Sequence, residues 1–228
     1  MGTMRSLTTA FCLSLLALFG CQSQRHVCDF AENGLFYADL EWRTKAPGDR
    51  AAFVLPVVDA RDTAQLPIAE RGFPIRYGGD DFWDRPVTEM LGDVLARQLA
   101  ASALFTQLQD QASNDALLVR PVLQRFHNGA IEDMSGSRSF AEIAVSIQVL
   151  GPAGADGKRA VLHEQVYGTR QMTQNEINPT SSYLVVGRTL RQTMQKVLTG
   201  LDGSNVARSA VPIEVVAPAE ASAPPRRR

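Results

Sequence analysis

Residues 143–167 constrain the fold of this chain more than any other stretch. Ile143, Val145, Ile147 and Val149 alternate with Ala144, Ser146 and Gln148, which is the period of a strand with one buried face. Gly151, Pro152, Gly154, Asp156 and Gly157 then supply turn chemistry, and Val161 to Tyr167 returns as a second strand. A hairpin of this kind exposes one polar face and must cover the other.

Two segments have the pattern to cover it. Val87, Met90, Leu91, Val94, Leu95 and Leu99 fall on one helical stripe, with Pro86 at the start, Glu89 and Asp93 early and Arg97 late, as the helix dipole favours. Val186, Leu190, Met194, Val197 and Leu201 form a second stripe within Tyr183 to Leu201, and Gly200 and Gly203 are the expected stop. Two further strands are expected. Phe53 to Val58 is dense and β-branched, but Pro56 lacks a backbone donor and points to an edge or a bulge. Leu117 to Phe126 is the other, and Pro121 argues against a central place for it. The stretch from Thr63 to Arg85 carries Pro67, Gly72, Pro74, Gly78 and Gly79 and reads as a long loop with a short strand near Ile75 to Tyr77. The expected architecture is α/β of the α+β type: a small, mostly antiparallel sheet with two helices on one face.

The first twenty-one residues have a different character. Arg5 precedes an apolar block, Phe11 to Phe19, too short to span a bilayer comfortably, and the block ends in Leu18-Phe19-Gly20-Cys21. This resembles a bacterial lipoprotein signal, in which the cysteine after a Leu-x-Gly lipobox receives acyl chains. The resemblance implies lipidation at Cys21; an ordinary signal cut near Gly20 and an uncleaved membrane-anchoring helix are the alternatives. More than one acyl chain gives stable anchoring, at about 0.8 kcal/mol per buried methylene. Gln22 stands where an aspartate would favour inner-membrane retention, so the resemblance favours the periplasmic face of the outer membrane. The division expected along the chain is a signal at 1–20, a lipidated tether with one short element at 21–52, the domain at 53–203, and a disordered tail rich in alanine and proline at 204–228, ending in Arg226-Arg227-Arg228.

Composition narrows the function classes. The 228-residue chain has a formal net charge of −1 at pH 7, which gives no general attraction to nucleic acid. Of its three cysteines, Cys12 falls in the signal and Cys21 at the lipobox, leaving Cys28 without a disulfide framework; a Cys21 to Cys28 bridge is the alternative if Cys21 carries no lipid. His26, His127 and His163 are scattered, with no HExxH helix, paired cysteines, nucleophile elbow or phosphate loop beside them. Asp80, Asp81 and Asp84 are the nearest approach to a carboxylate cluster and read as a solvated loop before a helix. The expectation is a non-enzyme without metal or cofactor. Tyr77, Phe82 and Trp83, large aromatics on a long loop, are the candidate partner-binding residues, and core packing under the first helix is the alternative.

The order strand, long loop, helix, strand, hairpin, helix resembles the ABC-transport auxiliary lipoprotein family, periplasmic lipoprotein components of Mce-type lipid-transport systems. The local matches are Tyr77 with Trp83-Asp84-Arg85-Pro86 before the helix, Leu99 to Phe105 at its end, and the strands Leu117 to Phe126 and Ile143 to Val149. The resemblance covers roughly residues 53–201. It implies a non-catalytic accessory subunit whose partners are the membrane, through the lipid anchor, envelope transporter proteins, and further copies of the chain. A structural or assembly lipoprotein that binds another envelope component is the alternative.

Overall fold

The computed structural model describes residues 26–31, 37–61, 76–77, 81–83, 85–133, 136–173 and 182–209. The elements run β1 (His26–Cys28), β2 (Ala52–Val54), β3 (Val58–Asp59), β4 (Arg76–Tyr77), β5 (Asp81–Trp83), α1 (Val87–Ser102), β6 (Leu117–Asp133), β7 (Gly136–Ala153), β8 (Arg159–Met172) and α2 (Ser182–Ser204). The main sheet has five strands in the order β2-β6-β7-β8, with β3 also paired to β6. Its β6-β7-β8 part is an antiparallel meander, whereas β2 and β3 lie parallel to β6. A parallel neighbour requires a crossover, and α1 provides it between β2 and β6. The architecture is therefore α/β with a mostly antiparallel sheet, as the pattern predicts.

Both helices bury their stripes in one core with the inward residues of the sheet, Leu117, Val119 and Leu123 of β6 and Ile143, Val145, Ile147 and Val149 of β7. On α1 the stripe residues Val87, Met90, Leu91, Val94, Leu95 and Leu99 are all buried. Pro86 sits just before the first turn at φ −51°, ψ 133°, and its carbonyl accepts from the Met90 amide at 3.2 Å. Helix α1 ends at Ala103 in the left-handed region, φ 57°, without a glycine.

The prolines explain how the edge is built. β2 and β3 are two pieces of one edge strand separated at Leu55-Pro56-Val57, so Pro56 occupies an edge break. Pro121 is the correction, because β6 is central, between β2/β3 and β7. The interruption between Val54 and Val58 lies opposite Arg120 and Pro121, so the residue lacking an N–H falls where its edge partner already leaves the ladder. The hairpin strands also run much further than their sequence signal, with β6 and β7 paired out to Asp133 and Gly136.

Three boundaries shift. A second sheet of three short strands, β1-β5-β4, takes in residues expected to be tether and loop. Within the stretch 21–52, the described residues pack on the body: Cys28, Phe30, Ala31 and Tyr37 are buried, and Leu40 and Trp42 pack against the core. The segment then follows α1 from end to end. Arg85, just before the helix, donates from Nε to Asp29 at 2.5 Å; Gln98 Oε1 accepts from the Leu40 amide; and the Thr44 amide donates to the Ser102 carbonyl at 3.0 Å. At the other end, Gly200 and Gly203 lie inside α2 and do not terminate it. Asn205 at φ 57° follows the helix, and the chain stays on the body to Ser209, with Val206 and Ala207 buried. The tail from 210 onward lies outside the described residues.

Candidate functional site

Trp83 is fully buried. Its ring meets Phe30, Phe126 and Tyr183 edge-on, with centroids 5.4, 5.7 and 4.9 Å away. The cause is a pairing distant in the chain: β5 pairs Trp83 with Cys28 of β1, and Pro86, three residues on, leads into α1, so the indole is tucked beneath the start of the helix. Core packing thus accounts for Trp83, which presents no surface to a partner. Tyr77 and Phe82 are placed by their backbones in the small sheet, opposite Asp81 and Arg76, and their side chains lie outside the described residues, as does Cys21.

The histidines stay apart. His127 is exposed on β6, edge-on to Phe140 of β7 at 5.0 Å. His163 Nε2 and the Tyr167 hydroxyl on β8 share a hydrogen bond of 2.9 Å. Burial lowers the pKa of His163 and raises that of Tyr167, so both groups are driven toward their neutral forms. Among the described residues, no group of three His, Cys, Asp or Glu is placed to hold a metal ion. Asp80 and Asp84 lie outside the described residues.

The edge formed by β8 is open. It is the last strand of the main sheet, 14 residues long, so one side of its backbone has no neighbouring strand among the described elements. Such an edge is a template for another strand. Val161 and Val166 stand out from it with 53% and 59% of their surface exposed, accompanied by Leu162. Between this edge and α2 lies a hollow of about 680 Å³, walled by Val166, Tyr167 and Gly168 on one side and Gln192, Lys196 and Thr199 on the other. The Lys196 ammonium donates to the Gly168 carbonyl at 2.6 Å, covering one of the edge acceptors. Gly200 makes this packing feasible, because a Cβ there would collide with the Tyr167 hydroxyl.

A second hollow lies further along the same flank of α2, sharing Gln192 and Gln195 with the first, where Leu40 and Trp42 of the amino-terminal segment face Gln171, Arg188 and Arg191. Arg188 and Arg191 are exposed and one helical turn apart. A third, between the broken edge strand and α1, is lined by Val54, Pro56, Val57, Gly92 and Asp93, with Arg85 bridging Asp29 and Asp93 at its end. These surfaces are suited to docking. Sequence reasoning did not single out the β8 edge or the arginine hollow. The edge could have been found from the meander itself, since the last strand of a sheet has one free side. The hollow could not, because it depends on the amino-terminal segment lying along α2.

No protein-family profile matches the sequence, and no curated protein matches it. Several solved structures are similar to the chain. The chain is similar to a protein of the DUF330 family from Xanthomonas campestris, at 14% identity and TM-score 0.48, over 75% of this chain and 94% of that one. A hypothetical protein from Chlamydia trachomatis is similar at 10% identity and TM-score 0.46, over 70% and 99%. A minor lipoprotein from Acinetobacter baumannii is similar at 12% identity and TM-score 0.40, over 69% and 94%.

Proposed function

We propose that this chain is a lipid-anchored envelope protein acting as a non-catalytic accessory subunit of a lipid-transport complex of the Mce/ABC type. Leu18-Phe19-Gly20-Cys21, placed just ahead of a folded body, is the observation that carries the reading. Acyl chains at Cys21 fix the body to a membrane, on the periplasmic face of the outer membrane. Among the described residues no helix is long and apolar enough to cross a bilayer, so anchoring by lipid complements the fold. The open β8 edge and the hollows flanking α2 supply surfaces for transporter components or for further copies of the chain. No cofactor takes part.

The test is a crosslinking pull-down from native membranes, comparing the unaltered chain with Cys21→Ala. The reading expects transporter components to be captured by the native chain and lost with the variant. Capture of a different envelope component, with no transporter subunit, would favour a structural or assembly lipoprotein instead.

A further inference from the structure

We infer that the folded body lies directly against the bilayer, and that the end of the main sheet beyond Phe126 is its lipid-facing surface. The inference rests on the proposed acylation of Cys21. Only Gln22, Ser23, Gln24 and Arg25 separate that cysteine from His26, which opens β1. Fully extended, the step from Cys21 to His26 spans at most about 18 Å. β1 is not a loose continuation of the tether. Cys28 and Phe30 are buried, the latter stacked on Phe126 at 6.0 Å, and Asp29 is held by Arg85.

The sheet reaches as far as the leash does. β6 continues seven residues past Phe126 to Asp133, and at the rise of a strand this is about 23 Å. A bilayer reached through so short a connection lies no farther from β1 than the sheet's own end. That end carries apolar surface. Ile131 is 37% exposed and Met172 40%, and Phe140, which pairs with Met172, is partly exposed beside the outward-facing His127. Unpartnered apolar side chains at a sheet end are costly in water and favourable at a lipid interface. Arg170 is exposed two residues before Met172, where a long cationic side chain can meet a phosphate headgroup, whereas Arg125 is engaged by Glu142 on the neighbouring strand. The turn itself carries Glu132 and Asp133, so contact is with the interfacial layer and not the hydrocarbon.

The test is radical footprinting of the full lipoprotein in vesicles of phosphatidylethanolamine and phosphatidylglycerol. Its control is the same chain with a Gly/Ser spacer of about twenty residues inserted after Gln24, whose average span is about 25 Å. Mass spectrometry of the amino-terminal peptide is run on both samples. The inference expects Ile131, Phe140 and Met172 to be labelled severalfold less in the native chain than in the spacer variant. Val161 and Leu162, at the opposite end of β8, should be labelled equally in both. Equal labelling of the three residues, with Cys21 acylated, overturns the inference and leaves the anchor standing. Protection that persists with the spacer also overturns it, because the shield is then protein. An unmodified Cys21 overturns both the inference and the anchor.

Discussion

Gly48 shows how one residue can hold two ends of the chain together. A Cβ there would fall far inside contact distance of the Leu104 carbonyl oxygen and would also meet the Ala207 carbonyl at 2.7 Å. Backbone cannot move aside as a flexible side chain can, so Gly48→Ala should destabilise the fold by about 3 kcal/mol or more, read as a lower urea midpoint with unchanged slope. Ala103 is the converse case. It holds φ 57° at the end of α1, a conformation that glycine adopts without a Cβ penalty, so Ala103→Gly should raise stability by up to about 1 kcal/mol in thermal unfolding. His163 gives the pH dependence. Burial lowers its folded pKa beneath the ordinary value of 6.5, so the unfolded chain binds the proton more readily. Stability is full above that value and is lost as the pH falls through it toward the folded pKa. Urea titrations at pH 7.5 and pH 5 should show the loss, and it should be smaller in His163→Gln, which cannot titrate.

At the scale of elements, Trp83 joins the small sheet to the two helices. Trp83→Ala removes the shared contact of Phe30, Phe126 and Tyr183, and should cost about 3 to 5 kcal/mol. Blue-shifted indole emission from the Trp42→Phe variant, in which Trp83 is the sole tryptophan, checks the burial directly. How much of this was legible in the sequence depended on periodicity. The α1 stripe was read residue by residue, because six apolar side chains recur at helical spacing and Pro86 marks the entry. The β7 alternation was equally clear. Sequence stopped short where the determinant is distant in the chain. Pro121 argues locally against a central strand, and only the break in its edge partner reconciles the two. Gly200 resembles a helix stop until Tyr167 is seen to occupy the space of its Cβ. The stretch 26–52 has little periodicity of its own, and its described residues are held by contacts with Arg85, Gln98, Ser102 and Asp202. As for the site residues, the aromatic segment was visible but its side was not: Trp83 turns inward because β5 pairs with β1, a contact 55 residues apart that no local pattern encodes.

The whole molecule has two poles. At one, Phe30 just after β1, Trp83 just ahead of α1 and Phe126 of β6 pack together, on the side of the body where the proposed anchor joins. At the other, Thr44 meets Ser102 and Asp202, and Ala207 accepts from the Asp49 amide, gathering the ends of both helices and the start of the carboxy-terminal tail. The β8 edge runs between the poles. An anchored body with this polarity offers a lateral edge and a far end to its neighbours. The account depends on the acyl chains, and intact mass spectrometry of the mature amino-terminal peptide from native membranes tests them most directly. It predicts a chain that begins at Cys21 carrying a thioether-linked diacylglyceryl group, with the protein in the membrane fraction. An unmodified thiol at Cys21 on a freely diffusing mature product would contradict it.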